Sequence, residues 1–253
     1  MSCGQHNLFM PPVYFMPGAT MTLTKKLLCS LFCLLPLAQS AYAAGGIAMS
    51  ATRVIYQADK KEASLTVSNR NDKEAFLIQT WAEDVSGNKK TPFVITPPLF
   101  RLDPAKDNVL RIVHLGAPLP QDRESVYWVN VKAIPSTSEA SQSKNVLQIA
   151  VRTRLKLFYR PMGLPGNAND AYRQLTFTRQ GDQVVIQNPT PYTISFAHLA
   201  FDGRDAGRVA MVPAQGQVNQ PLPAGMQSVA TVTYSVINDF GASSDTLNQP
   251  VKS

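Results

Sequence analysis

Past residue 33 the sequence has no cysteine; all three, Cys3, Cys29 and Cys33, stand near its start. That excludes a disulfide framework and thiolate metal sites from the bulk of the chain. Histidine is almost as scarce, with only His114 and His198 beyond residue 44, each in an apolar stretch of the kind that usually holds a structural or half-exposed imidazole. There is no G-x-S-x-G elbow, no phosphate-cradling glycine loop and no H-E-x-x-H. Catalytic residues, a metal site and a cofactor site are therefore not expected, and the chain does not read as an enzyme. Charge is also sparse, at 16% of residues. No dense basic run suggests nucleic acid as a partner. Helix signals are nearly missing, and 19 prolines, poorly tolerated inside helices, agree with that.

What is present begins with a leader. From Met21 the chain reads MTLTKKLLCSLFCLLPLAQSAYAA: two lysines, an apolar run from Leu27 to Leu37, then small residues two apart. This is the pattern of a cleaved secretory signal, and residues 1–44 are assigned to it. Residues 1–20 look like upstream sequence from a start taken too early. The apolar run is shorter than the ~20 residues a spanning helix needs, so no membrane insertion of the mature chain is expected. Of the 24 Lys and Arg residues, loss of Lys25 and Lys26 leaves 22 against 17 acids, a mild net +5. The mature chain is exported yet thiol-free, so its core alone must hold it together.

Strand signals are dense. ASLTVSN (63–69), AFLIQTWAE (75–83), TPFVIT (91–96), NVLRIVHL (108–115) and SVYWVNVKAI (125–134) are separated by turn residues, and predict an antiparallel sandwich. After the Pro/Gly/Asn-rich RPMGLPGNAND (160–170) the pattern restarts with RQLTFTR (173–179), QVVIQN (183–188), TISFAHLAF (193–201), RVAMV (208–212) and SVATVTYSVI (228–237). The expectation is all-β, with one domain over 45–162 and a second over 163–253. STSEASQSKN (136–145) reads as a polar, mobile loop.

The stretch after that loop, VLQIAVRTRLKLFYRP (146–161), is expected to be one long strand. Leu147, Ile149, Val151, Leu155 and Leu157 share one parity, and Gln148, Arg152, Arg154 and Lys156 the other. By pattern alone the apolar row reads as part of the chain's own core.

Eight segments in order, ATRVIY (51–56), ASLTVSNRN (63–71), ITPPLFRLDP (95–104), LRIV (110–113), DRESVYWVNVKAIP (122–135), RLKLFYRP (154–161), NPTPY (188–192) and INDFGA (237–242), give the chain a resemblance to the periplasmic chaperones of the chaperone–usher pilus pathway. It covers nearly all of the mature sequence. The resemblance implies two immunoglobulin-like β-sandwich domains in an L or boomerang. It also implies a periplasmic location, pilus (fimbrial) subunits as partners, and an outer-membrane usher that receives them. Clients of this family lack a last strand, and the chaperone lends one of its own, a case of β-strand addition.

By the same resemblance, Leu147, Ile149 and Val151 match the donor strand, reversing the core-packing reading for those three. Leu155 and Leu157 are still expected in the core. Arg53 and Lys156 match the cations that anchor the subunit's C-terminal carboxylate. Glu124, Arg160 and Asp239 match an interdomain ion network. Trp128 and Asn130 read as ordinary sandwich residues. The short segment before the donor strand and the lack of a cysteine pair beside it resemble the short-loop branch, which builds rod-like pili. Two other readings are a structural pilus subunit or adhesin, and a secreted sandwich hydrolase. Two domains, and a mature start leading directly into the Arg53 strand, speak against the first; no nucleophile and base speak for the second. Self-association of the free protein through its donor edge is left open.

Overall fold

The computed structural model describes residues 46–136, 147–209 and 211–252. The leader assigned to residues 1–44 and nearly all of the polar segment 136–145 lie outside these residues. Among the described residues, regular structure is strand apart from one 3-10 turn, Ala171–Gln174.

The first domain holds β1 (Ile47–Met49), β2 (Arg53–Gln57), β3 (Ala63–Asn69), β4 (Phe76–Glu83), β5 (Phe93–Thr96), β6 (Leu99–Leu102), β7 (Asp107–His114), β8 (Ser125–Pro135) and β9 (Val151–Arg160). They form two sheets, ordered β1-β3-β7-β5 and β2-β9-β8-β4-β6. Alternation explains the packing. In β7, Leu110 and Ile112 point inward and are fully buried, while Val109 and Arg111 on the other parity are exposed. Leu65 and Val67 from one sheet and Ile78, Val129, Val131 and Leu157 from the other close the core.

Among the described residues of this domain, strand pairing is antiparallel except at one place. β2 runs parallel to β9, with Arg53 opposite Lys156 and Gln57 opposite Arg160. The chain therefore changes sheets just after its described start: β1 pairs with β3, and β2 then crosses to β9.

The second domain holds β10 (Thr176–Gln180), β11 (Gln183–Asn188), β12 (Phe196–Phe201), β13 (Arg204–Asp205), β14 (Gly216–Pro221), β15 (Thr231–Val236) and β16 (Leu247–Pro250). Its sheets are β10-β11-β14 and β13-β12-β15-β16. The separate core is built on Phe177, Ile186, Leu199, Phe201, Val232 and Tyr234. The Tyr234 hydroxyl donates to the Tyr172 carbonyl at 2.9 Å, so this buried ring keeps its polar end satisfied.

The domains touch closely at one turn. Gly241 has φ +85°, a conformation that L side chains rarely adopt, and a Cβ there would lie 2.3 Å from the Thr52 hydroxyl oxygen. The turn carrying Asp239 thus rests on the residue just before β2.

Several elements depart from the sequence expectation. The long strand expected from 146 starts, among the described residues, at Val151, where the ladder with β8 stops at Ala133 and leaves residues 147–150 unladdered. RVAMV (208–212) forms no strand among its described residues; Val212 makes only an isolated bridge to Ile194. Its apolar content serves burial, since Val212 is fully covered. Conversely, the polar GQVNQP becomes β14 by pairing with β11 along its whole length. His114 sits half-buried among Tyr56, Phe93 and Tyr159, and His198 is exposed.

Candidate functional site

The site is organised around β9, whose two halves have different neighbours. Lys156–Tyr159 lie between β2 and β8, paired on both sides, and Arg160 pairs with β2 alone. Val151–Leu155 pair with β8 alone, and no described strand pairs with their other edge. Along this singly paired half exposure rises away from β2. Leu155 and Leu157 are buried, whereas Leu147, Ile149 and Val151 are 84%, 65% and 59% exposed. Beside the last two lies an apolar hollow lined by Ile47, Phe76, Val131 and Ala133. An exposed alternating apolar row on an open edge is the arrangement that soluble proteins normally avoid.

Where the open edge ends, two cations stand side by side. Arg53 on β2 and Lys156 on β9 are register partners. The Arg53 side chain is buried, donates from Nη1 to the Ile237 carbonyl at 2.8 Å and lies over the Phe158 ring. Its Nε is buried and has no partner among the described residues. Burial lowers its pKa, opposed by the charges of Asp239 and Glu124. Lys156 Nζ donates to Ser195 Oγ at 2.8 Å. Burial, and after it the nearby Arg53 charge, lowers the Lys156 ammonium to about 8. Two desolvated cations with spare donors suit one anion of carboxylate size.

The pocket beside Arg53 is also lined by Glu124, Arg160, Tyr192, Ser195 and Asp239. Arg160 joins both acids: Nε meets Glu124 Oε1 at 2.7 Å, and Nη1 and Nη2 meet the two Asp239 oxygens at 2.6 and 2.8 Å. The second Glu124 oxygen accepts the Thr193 amide at 2.8 Å, and the Glu124 amide donates to the Pro191 carbonyl at 2.9 Å. Burial raises the Glu124 pKa, against the pull of Arg160 and of the Thr193 amide. Burial depresses Arg160, but its bonds to Asp239 and the two acidic charges raise it overall, so it stays cationic. This pairing links residues of the first domain, 124 and 160, to residues of the second, 193 and 239.

Sequence reading did not nominate the partners Ser195, Thr193 and the Ile237 carbonyl, since nothing local ties them to residues far away in the chain. It also missed a cluster on the outer face of the β9 sheet. There Glu83 accepts from Trp81 Nε1 at 2.7 Å and from Arg152 Nη2 at 2.6 Å, with Arg154 Nη2 at 3.5 Å. Trp128, read as an ordinary sandwich residue, carries the Arg154 guanidinium over its ring at 4.3 Å.

The chain can be placed among known proteins. Residues 46–165 match the family model described as "Pili and flagellar-assembly chaperone, PapD N-terminal domain", and residues 170–247 match "Pili assembly chaperone PapD, C-terminal domain". The "Chaperone protein LpfB" of Salmonella typhimurium is 54% identical over 232 residues, covering 91% of this chain and all of the relative. A solved structure, "Periplasmic Chaperone SfaE", is 41% identical with a TM-score of 0.69, covering 82% of this chain and 100% of that one. The Salmonella enterica SafA pilin in complex with the SafB chaperone gives a TM-score of 0.75 at 30% identity, over 83% of this chain and 98% of that one. These matches set aside the readings of a pilus subunit, an adhesin or a hydrolase. With family models covering both domains in order, the chain belongs to the pilus-assembly chaperones, a family of chaperones and not of enzymes.

Proposed function

We propose that this protein captures fimbrial subunits in the periplasm by lending them the open edge of β9, and passes them to an outer-membrane usher. The observation that carries the reading is the exposed row Leu147, Ile149 and Val151, on an edge that ends at two adjacent cations. Filling a subunit's groove with three such side chains contributes ~1.5–3 kcal/mol each, so roughly 5–9 in gross terms. The cost of ordering and association is subtracted from that. Main-chain bonds along the edge add affinity without regard to the client's side chains, which suits several related subunits. Arg53 and Lys156 hold the subunit's terminal carboxylate and so set its register along the edge, where a one-residue slip would turn every side chain to the wrong face. Glu124, Arg160 and Asp239 hold the two domains at a fixed angle around that anchor.

The same reading takes residues 1–44 as a leader removed on export, 45–162 and 163–253 as the two domains, and the chain as one of the short-loop branch. The test is co-expression with a pilin subunit lacking its N-terminal strand, followed by purification of the complex from periplasm. Arg53→Ala and Lys156→Ala are each expected to abolish recovery of the complex while the free protein stays folded. Normal yields of complex from both variants would refute the anchor.

A further inference from the structure

We infer that Glu83 is a positioning residue for the donor edge: from β4 it fixes Arg152 and Arg154, and thereby keeps Val151–Leu155 extended on β8 while their other side stays open. The inference rests on the reading of β9 as the lent strand and adds to it the part that holds that strand ready. The residues sit on three neighbouring strands in the order β4-β8-β9. Trp81 faces Asn130 on β8, and Asn130 faces Arg154 on β9. Arg152 and Arg154 therefore lean across β8 to reach a carboxylate one strand further on.

The geometry fits holding better than surface decoration. The Glu83 side chain is only 6% exposed, although its two arginine partners are 42% and 40% exposed. Arg152 is gripped at several points. Its Nη2 meets Glu83 at 2.6 Å, its Nε and Nη2 meet Asn130 Oδ1 at 2.9 and 2.7 Å, and its guanidinium lies 5.0 Å over Trp81. Asn130, fully buried beneath it, has its amide hydrogens turned towards the Trp81 carbonyl. Arg154 is stacked on Trp128. A planar fork held by charge-assisted bonds and an aromatic face is far more restricted than a solvated arginine. Burial raises the Glu83 pKa, but the Trp81 indole bond and the two arginines outweigh it and leave the carboxyl below its ordinary value.

Parity completes the argument. Arg152 and Arg154 point to the face opposite Val151, Thr153 and Leu155. Both held side chains thus belong to the half of β9 that has one strand partner, and the bracing leaves the apolar row clear. A strand paired on one side only is the kind of segment that opens locally at low free energy. A donor that frayed would have to be ordered again at each capture, which slows binding and weakens it.

The experiment compares wild type with Glu83→Ala and the gentler Glu83→Gln, which keeps an acceptor for the Trp81 indole. Amide exchange is followed in the free protein, and the rate of complex formation is measured with a pilin subunit lacking its N-terminal strand, refolded from urea. Exchange at 151–155 is expected to rise ~10-fold or more in Glu83→Ala, with 156–160 unchanged, as for loss of a local brace. Capture is expected to slow by a similar factor, and Glu83→Gln to fall between the two. Unchanged exchange at 151–155 would overturn the inference. So would a rise spread equally over 151–160 and the rest of the first domain, which marks a general structural role, or a local rise with capture at the wild-type rate. Ile149→Asp in the same assay separates the two levels. If it captures as well as wild type, the lent-strand reading itself fails. If it loses capture while both Glu83 variants keep the wild-type rate, that reading stands and only the positioning role falls.

Discussion

The apolar row from Leu147 to Leu157 runs into β9 and is treated in opposite ways at its two ends. From Leu155 onward the row is inside; from Val151 back to Leu147 it is outside, with a ladder partner at Val151 and none before it. The side chains are of the same class, so hydrophobicity does not make the difference. What changes is the distance from β2, which reaches back only to Arg53 opposite Lys156: Leu155, next to that pair, is still buried, and exposure rises from Val151 to Leu147. One segment can therefore be core at one end and an exposed apolar edge at the other, the change falling a few residues beyond the point where its neighbour stops.

The largest effect expected on that contrast is on stability. Leu157→Ala removes a fully buried side chain and is expected to cost ~2–5 kcal/mol, seen as a lower urea midpoint. Ile149→Ala is expected to leave the midpoint of the free protein within ~0.5 kcal/mol. Equal losses would mean that the outer half is core after all. Next comes client affinity, where the order inverts. Ile149→Asp gives up ~1.5–3 kcal/mol of burial and adds the desolvation of a charge, so complex recovered by co-purification should fall by more than tenfold. Gln148→Asp, on the other parity, should change it far less, and similar losses from both would deny the row its role.

A smaller effect is expected with pH. Lys156 titrates at about 8 in the free protein against an ordinary 10.5, so between these values the unfolded chain holds the extra proton and folding stability rises with pH. Capture of a carboxylate needs the ammonium and should move the other way, weakening above pH 8 by up to ~1.4 kcal/mol per unit. Lys156→Arg should remove this slope, as read from binding isotherms between pH 7 and 9.5. A flat wild-type profile would show that the ammonium does not contact the client's charge.

Legibility in the sequence followed the same division. ASLTVSN was readable to the residue because its alternation buries one face and not the other, and QVVIQN through a β-branched run, Val184–Ile186, that is buried throughout. GQVNQP was not readable, since its strand character comes from pairing with β11 and its own residues have weak β propensity. Periodicity could not say which half of the 147–157 row was exposed, because a period of two is the same on an inner strand and on an edge. The family resemblance pointed to Leu147, Ile149 and Val151, to Arg53 and Lys156, and to Glu124, Arg160 and Asp239, through short motifs. The structure places Arg53 beside Lys156, and joins Glu124 and Asp239 through Arg160. Glu83 was invisible at that level. A carboxylate in QTWAEDV carries no local sign that its partners lie 69 residues on.

The absence of a side chain at position 241 has a mechanical corollary. The turn it belongs to brings Asp239 to Arg160 and follows directly on the Ile237 carbonyl that receives Arg53. With Thr52 already in the space a methyl group would need, the joint has no slack there. One added carbon would have to pry the turn away from β2, and the bonds of Asp239 to Arg160 and of Arg53 to the Ile237 carbonyl would loosen together.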